Sequence, residues 1–330
     1  MQIDLRTVSI KPIRQTFTHI ADRIGPDTAA SRYQEATLNV QADANFHYRP
    51  TWDPDHEIFD ASRSKIVMAD WYAFKDPRQF YYATYTTTRA RMQETTEADF
   101  EFVERRGLAE TYAADAKRTA LDVLVPLRHV AWGANMNNSS ICAYGYGTAL
   151  TAPCIFQAMD QLGIAQYLTR LGLLFGDVAS LDEGKRAWLD EPAWQQLRRY
   201  VEDTFVLADP IELFVAQNLV LDGLLYPLIY DKFDNLLAAE AGPTVSMLLR
   251  FQADWFAETS RWVDATIKTA AGESTANAAL LNGWATAWRD RAVTALAPLA
   301  DLALGADAPA ALTEVVSAFE TRAAKCGLAL

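Results

Sequence analysis

The feature that most constrains the fold is a helical spacing of apolar residues from about residue 97 to the end of the chain. The clearest stripe, Ile164, Leu168, Leu171 and Phe175, follows the i, i+4, i+7, i+11 pattern of one helix face. Strand-like alternation is nearly absent after residue 95, and no internal repeat of fixed period is visible. The pattern therefore predicts an all-α fold with long helices.

Composition and charge narrow the class of protein further. The chain has 330 residues, of which half are hydrophobic and 22% are charged, so it can bury a sizeable core and is not a disordered chain. Its 42 acidic and 30 basic residues give a net charge of −12. Such a surface repels nucleic acid and anionic membranes, which argues against either as a partner.

The cysteines and the apolar stretches indicate the compartment. Three unclustered cysteines do not suggest a disulfide framework, and the N-terminus lacks a hydrophobic signal core. The most apolar stretch, residues 213–230, contains Gln217, Asn218, Asp222 and Pro227, which a membrane span would rarely carry together. We therefore expect buried helices there and a cytoplasmic location for the protein.

The first sixty residues differ from the rest of the chain. They contain Pro12, Pro26, Pro50 and Pro54 and sustain no helical period. We therefore predict an extended N-terminal arm over residues 1–60 and a helical bundle domain over residues 61–330. An arm of this length must lie on its own bundle or on another subunit. We expect it to be largely non-helical and to bury surface against another subunit.

The sequence contains only four histidines, which limits the metal chemistry that the chain can perform. A carboxylate-bridged di-iron bundle needs a Glu-x-x-His pair on each of two helices, because that spacing points both side chains from one helix face. The residues three positions before His19, His47, His56 and His129 are Thr16, Ala44, Asp53 and Pro126. This chain therefore cannot build such a site by itself.

One local cluster offers an alternative chemistry. Asp53, Asp55, His56 and Glu57 supply three carboxylates and an imidazole within five residues. They could form an atypical site in a stand-alone helical enzyme or ligand-binding protein. The competing interpretation, which we favour, is a turn with capping aspartates, because Pro54 prevents a helix through Asp53.

A long run in the N-terminal third is distinctive. It reads WDPDHEIFD over residues 52–60, then MADWY over residues 68–72 and KDPRQFYYATY over residues 75–85. This run resembles the β subunits of the bacterial soluble di-iron monooxygenases, in the branch of the multicomponent phenol hydroxylases and toluene monooxygenases. The resemblance covers essentially the whole chain.

The resemblance implies a fold and a division of labour. The fold would be a ferritin-like (ribonucleotide reductase-like) helical bundle with an extended N-terminal arm. The chain would be a non-catalytic structural β subunit without a cofactor, in an (αβγ)₂ assembly whose α subunit holds the di-iron centre and hydroxylates phenols with O₂. A γ subunit, a regulatory protein and an NADH-dependent flavin and iron–sulfur reductase would complete the system.

The same resemblance points to replaced metal-ligand positions. Gln161 and Ile164 stand where the first helix of the family carries its Glu and His, and Glu258 and Arg261 stand at the second pair. A buried carboxylate without a metal needs another cation. We therefore hypothesise that Glu258 and Arg261 form a buried ion pair, with Asp222 as a further candidate member.

Aromatic residues dominate the distinctive run. They could line a site for phenols, but such runs more often pack an interface. We interpret them as an interface element. The interface candidates are Trp52, Trp71, Arg78, Phe80, Tyr81, Tyr82 and Tyr85.

Overall fold

The computed structural model describes residues 13–42 and 48–330, and within these ranges it contains helices and no strand. The predicted all-α class is therefore confirmed. The α-helices are α1 Thr18–Ile24, α2 Arg32–Thr37, α3 Tyr82–Arg106, α4 Ala114–Leu124, α5 Leu127–Tyr144, α6 Thr148–Phe175, α7 Val178–Asp190, α8 Pro192–Thr204, α9 Pro210–Phe214, α10 Asp222–Pro227, α11 Asp234–Ala241, α12 Thr244–Glu273, α13 Thr275–Leu304 and α14 Ala308–Lys325.

Helices α9, α10 and α11 are parts of one continuous helix, Pro210–Ala241, which we call the central helix. Two π-helical segments, Val215–Leu221 and Leu228–Phe233, join its three α-helical parts. Such wider turns rotate the side chains that follow them relative to a regular helix. The central helix therefore departs from regular α-helical geometry at two places within its buried length.

The bundle core lies between α5, α6, the central helix, α12 and α13. The predicted stripe on α6 is buried, with Ile164 and Leu168 fully inaccessible. Helices α5 and α6 form an antiparallel hairpin joined by a short turn. Close packing on the other side of α5 depends on Gly133, because a Cβ there would lie 2.5 Å from Val201 Cγ1 of α8.

Two stretches are long and apolar enough to cross a membrane, the central helix and residues Thr275–Lys325. The core helices of globular bundles pass the same test of length and composition. In the central helix, 94% of the most apolar window is buried inside the bundle, whereas the figure for the second stretch is 33%. The second stretch is also broken, because Gly305 ends α13 with a φ of 54°.

Helix α3 begins earlier than the sequence pattern predicted. We expected helix from about residue 97, but α3 starts at Tyr82. Its first half is rich in threonine and shows no apolar stripe. The threonine hydroxyls are satisfied within the helix, since Thr86 Oγ1 donates to the Tyr82 carbonyl (2.8 Å) and Thr96 Oγ1 to that of Met92 (3.0 Å).

The described part of the arm folds onto its own chain. The Arg23 guanidinium forms a bidentate pair with Asp70, at 2.6 and 3.0 Å, and Thr148 Oγ1 donates to the Thr37 carbonyl at 2.6 Å. Two short helices, α1 and α2, interrupt an otherwise irregular path that continues past residue 60 to the start of α3. The burial of this arm against another subunit stays a prediction.

Candidate functional site

Gln161 and Ile164 lie in the interior of the bundle, on the inward face of α6. Ile164 is fully buried among apolar side chains. The Gln161 amide is 1% exposed and meets the Tyr226 hydroxyl of the central helix at 3.3 Å. Both positions are therefore engaged in packing and in an amide–hydroxyl contact.

The residues around Gln161 do not fit a di-iron centre. They include one carboxylate, Asp222, together with tyrosine and aliphatic side chains. A carboxylate-bridged pair of irons in such a bundle requires four carboxylates and two imidazoles. Within residues 13–42 and 48–330, no group of three histidine, cysteine, aspartate or glutamate side chains is placed to hold a metal ion.

The small volume of this region also excludes an aromatic substrate. A cavity of about 10 Å³ lies between α5, α6 and the central helix. An apolar cavity of roughly 150 Å³ is known to admit benzene. The centre of this bundle therefore has no room for a phenol.

The hypothesis of a Glu258–Arg261 ion pair is wrong. Arg261 is exposed on the outer face of α12 and forms no ion pair with a described residue. The inward face of α12 is occupied by Trp255, Thr259 and Trp262, all of them buried. Arg261 lies on the solvent side of α12, whereas Glu258 is half-buried, so Arg261 is directed away from the partners that Glu258 meets.

Glu258 pairs with a cation from a different helix. Its carboxylate accepts hydrogen bonds from Arg89 of α3, at 2.9 and 3.3 Å, and Arg78 Nη1 lies 3.8 Å away. Asp222 is not part of this arrangement, since its recorded hydrogen bond comes from Gln217. The structure therefore replaces the predicted local pair with a long-range one.

Arg89 is the centre of a buried ionic cluster. Its guanidinium donates to both carboxylate oxygens of Asp160 on α6, at 2.8 and 2.9 Å, in addition to Glu258. Tyr85 Oη and Trp255 Nε1 also donate to Asp160, at 2.8 and 2.9 Å. This cluster connects α3, α6 and α12 through one carboxylate.

The electrostatics of the cluster follow from its burial. Burial opposes the charge on Arg89, but the carboxylates of Asp160 and Glu258 hold the pKa of the guanidinium above its ordinary value. Burial, reinforced by Asp160, raises the pKa of Tyr85 well above the usual range. Arg89 thus stays charged and Tyr85 stays neutral at neutral pH, which suits a structural connection better than proton transfer.

A second buried ion pair lies next to this cluster. Arg78 binds Asp76 in a bidentate manner, at 2.9 and 3.0 Å, and donates to Thr259 Oγ1 at 3.3 Å. The Thr259 hydroxyl in turn donates to Gln157 Oε1 at 2.7 Å. The segment before α3 is therefore connected to α6 and α12 by buried polar groups.

The sequence reasoning missed Asp76, Arg89 and Asp160 as structural residues. One signal was available for Asp160, because an acidic residue inside an otherwise apolar helix face needs a buried cation. The sequence did not show which cation Asp160 would meet, because Arg89 lies 71 positions earlier in the chain. That contact depends on how α3 crosses the hairpin.

A line of amide side chains joins the central helix to α5. Asn137 Nδ2 donates to Gln217 Oε1 at 2.8 Å, and the Asn138 and Asn218 side chains pair at 2.9 Å. Gln217 Nε2 donates to Asp222 Oδ1, also at 2.9 Å. The polar stretch of α5 is therefore an inward-facing contact.

The cluster at Asp53 to Glu57 forms a turn. Asp53 accepts from Arg63 and pairs with His56 Nδ1, the latter at 2.9 Å. The hydrogen bond with His56, aided by Arg63, holds the pKa of Asp53 below its ordinary value. The carboxylate that a metal site would need is thus already engaged.

The remaining histidines in the described ranges do not supply a site either. His19 is exposed and stacks on Phe17. His129 stacks on Trp188 with ring centroids 5.7 Å apart, and burial, with Arg128 and Lys185 nearby, lowers its pKa to about 4. His47 lies outside the described residues.

The seven interface candidates divide into two groups. Trp71, Arg78, Phe80 and Tyr85 are buried inside their own chain, so the interface interpretation is wrong for them. Tyr85 stacks on Phe156 with centroids 4.4 Å apart. Trp52 and Tyr82 are 69% and 74% exposed, and Tyr81 is half-buried, so an interface role for these three stays a prediction.

Comparison with known proteins gives consistent matches. The family model described as Methane/Phenol/Alkene Hydroxylase matches residues 52–274. The oxygenase component DmpL of phenol 2-monooxygenase from Pseudomonas sp. strain CF600 is 51% identical, over 99% of this chain and 98% of its own. The corresponding component MhpL from Acinetobacter pittii is 44% identical over the same shares.

Solved structures agree with these matches. A chain of the xenon-pressurized phenol hydroxylase from Pseudomonas sp. OX1 has a TM-score of 0.94 at 43% identity, covering 99% of both chains. A chain of toluene 4-monooxygenase, at 22% identity and a TM-score of 0.74, shows the same fold over 94% of this chain. The predicted ferritin-like bundle is thereby confirmed. The chain belongs to the methane, phenol and alkene hydroxylase family.

Proposed function

We propose that this chain is the non-catalytic, structural β subunit of an aromatic-ring (phenol) monooxygenase hydroxylase. The family match and the full-length similarity to phenol 2-monooxygenase oxygenase components support this proposal. The observation that carries it is the packed interior at Gln161 and Ile164. An amide, an isoleucine and one carboxylate cannot replace the ligands of two irons.

The proposal assigns the chemistry to other chains. The relatives are components of multicomponent hydroxylases, so this chain works together with other subunits. An α subunit would hold the di-iron centre and hydroxylate phenols with O₂ and NADH-derived electrons. This chain would support the α subunit and form the core of a cytoplasmic (αβγ)₂ assembly. A regulatory protein and a flavin and iron–sulfur reductase would act on that assembly.

The rigid connections inside the chain suit a supporting role. The Arg89–Asp160–Glu258 cluster joins three long helices, and the amide contacts join α5 to the central helix. Fully partnered buried polar groups restrict helices to one arrangement. A subunit that positions an active site in another chain benefits from such a fixed shape.

The alternative, an atypical site near Asp53, is disfavoured by geometry. Arg63 and His56 both bind the Asp53 carboxylate, and Asp55 is exposed. A direct test replaces Asp53 with Asn in the assembled hydroxylase, with Asp27→Asn, an exposed position outside the cluster, as the control. We expect both variants to retain phenol hydroxylation, whereas a loss of turnover confined to Asp53→Asn, with the assembly intact, would support the alternative.

The decisive experiment separates this chain from its partners. The full chain is expressed alone and, in parallel, together with the α-type and γ-type chains of a phenol hydroxylase. We expect no bound iron and no phenol turnover for the chain alone, and iron and turnover only in the preparation that contains the α-type chain. Stoichiometric iron in the isolated chain, measured by plasma emission spectrometry, would overturn the proposal.

A further inference from the structure

Asp222 is a buried carboxyl group with an incomplete set of hydrogen bonds. It lies on the central helix and is 2% exposed. Its Oδ1 accepts from Gln217 Nε2 at 2.9 Å, whereas its Oδ2 lies within 3.5 Å of no well-aligned donor in the described residues. Gln157, whose Nε2 is also buried and unpartnered, is near enough to lower the pKa of this carboxyl but does not form a hydrogen bond of ordinary geometry with it. A buried polar atom without a partner costs about 1–3 kcal/mol, so native structures rarely leave one unsatisfied.

The carboxyl group lines a small cavity with further polar walls. The cavity, of about 10 Å³, is bounded by Gln161 of α6, by Tyr226 and Tyr230 of the central helix, and by aliphatic side chains of α5. One buried water needs a cavity of at least about 10–15 Å³ and two to four polar partners. The volume and the walls therefore match a single water molecule.

The polar groups around the cavity retain hydrogen-bonding capacity. The Gln161 amide and the Tyr226 hydroxyl meet at 3.3–3.4 Å, which is long for a hydrogen bond. An amide has two donors and an acceptor that can take two bonds, and a phenol can donate and accept at once. Neither side chain is saturated by this one long contact.

Among the residues that the structure describes, no cation forms a salt bridge with Asp222. The positive charge that acts on it is Arg322, whose Nε binds Asp264 at 2.7 Å and whose Nη2 binds the Ser260 carbonyl at 3.3 Å. The third nitrogen, Nη1, is buried and forms no hydrogen bond with Asp222 or with another described residue. The other buried carboxylate nearby, Asp160, is occupied by Arg89. Asp222 is therefore the buried carboxyl group of this region that lacks a salt bridge.

We propose that this cavity binds one ordered water molecule, which hydrogen-bonds to Asp222 Oδ2 and bridges it to the Gln161 amide and the Tyr226 hydroxyl. The water completes a buried polar connection between α6 and the central helix. From Asp222 the connection continues through Gln217 to Asn137 of α5. Three core helices are thus joined through hydrogen bonds at the position where the resemblance places a metal ligand.

Water fits this site better than a cation does. One carboxyl group, one amide and tyrosine hydroxyls provide at most a single negative charge in a fully buried position, and burial alone favours the neutral form of that carboxyl. A divalent ion would need several oxygen ligands and more charge. The site therefore suits a neutral ligand with a single non-hydrogen atom that both donates and accepts hydrogen bonds, as water does.

The test is a crystal structure of the assembled hydroxylase at a resolution that places waters with confidence. We expect one water peak in the cavity, within about 2.7–3.2 Å of Asp222 Oδ2 and of a second polar side chain. An empty cavity would overturn the proposal, as would a Gln157 amide rotated to bond Asp222 Oδ2 directly. An anomalous signal for a metal at this position would overturn it as well.

Three variants sharpen the same test. Asp222→Asn keeps a polar atom at the Oδ2 position and should keep the water, whereas Asp222→Leu should lose it. Asp231→Leu, an exposed position on the same helix, is the matched control and should keep the water. A water that persists unchanged in Asp222→Leu would refute the assignment. If Asp222→Leu does not fold, the wild-type and Asp222→Asn structures decide the question.

Discussion

Replacing Arg89 with methionine removes the single cation that two carboxylates share. Asp160 is only 3% exposed at its side chain, and it would keep its bonds from Tyr85 and Trp255 but lose its counter-charge. Glu258 is 18% exposed and can reach solvent, so losing Arg89 costs this carboxylate less. The destabilisation should therefore come mainly from Asp160.

The magnitude follows from the cost of an unpaired buried charge. Breaking such a pair by removing one partner costs about 3–5 kcal/mol. For a chain of this length, an unfolding entropy of about 2.1 cal/mol/K per residue amounts to roughly 0.7 kcal/mol/K. The expected fall in melting temperature is therefore about 4–7 °C.

The loss of stability caused by Arg89→Met should also depend on pH. Without Arg89, the folded variant keeps a buried carboxyl group without a counter-charge, and burial disfavours the charged form of such a group. The folded variant then binds more protons than its unfolded chain, so its stability falls as pH rises from about 5 to 8. The difference between variant and wild type should accordingly be smaller at pH 5 than at pH 8.

Calorimetry of the full-length chain measures both effects. Arg91→Met, an exposed position on the same helix, is the matched control and should change the melting temperature by less than about 1 °C. The double variant Arg89→Met with Asp160→Asn should recover much of the loss, because no buried charge is left unpaired. The reasoning fails if Arg89→Met is no worse than Arg91→Met, or if the double variant is as unstable as the single one.

Three other predictions address separate parts of the structure. Burial raises the folded-state pKa of Asp222 to about 8, so its contribution to stability is present below the unfolded pKa and is lost as pH rises towards 8. Asp222→Asn should therefore flatten the pH dependence of thermal unfolding by up to about 1.4 kcal/mol per pH unit, and a difference independent of pH would contradict this. Gly133→Ala should destabilise the chain by about 1–3 kcal/mol in urea unfolding, because its Cβ meets Val201, whereas Gly163→Ala, with open space around it, should be neutral or stabilising. Trp52→Ala and Tyr82→Ala should weaken assembly with partner chains in sedimentation experiments by about 2 kcal/mol or more without changing this chain's own melting temperature, with the exposed Val206→Ala as control; unchanged assembly would remove both residues from the interface.

Local patterns determined the fold class, and the inventory of residue types predicted that this chain cannot build a di-iron site by itself. The stripe from Ile164 to Phe175 is buried as its period predicted, since helical periodicity depends only on neighbours in sequence. The missing Glu-x-x-His pair was equally readable from the sequence, because a ligand that the chain does not contain cannot be supplied by folding. The sequence did not show where α3 starts, because the first half of this helix has no apolar stripe. Its threonine hydroxyls bond to carbonyl groups of the helix itself, which no sequence period reveals.

Only the tertiary structure decided which charges meet. Glu258 pairs with Arg89, 169 positions away, and not with Arg261 three positions away. The packing of Trp255 and Trp262 into the core sets the rotation of α12, and this rotation leaves Arg261 in solvent. The same long-range packing buries Phe80 and Tyr85 within the chain and leaves Asp222 without a salt bridge. Sequence spacing specifies which residues share a helix face, but the crossing of distant helices decides what that face touches.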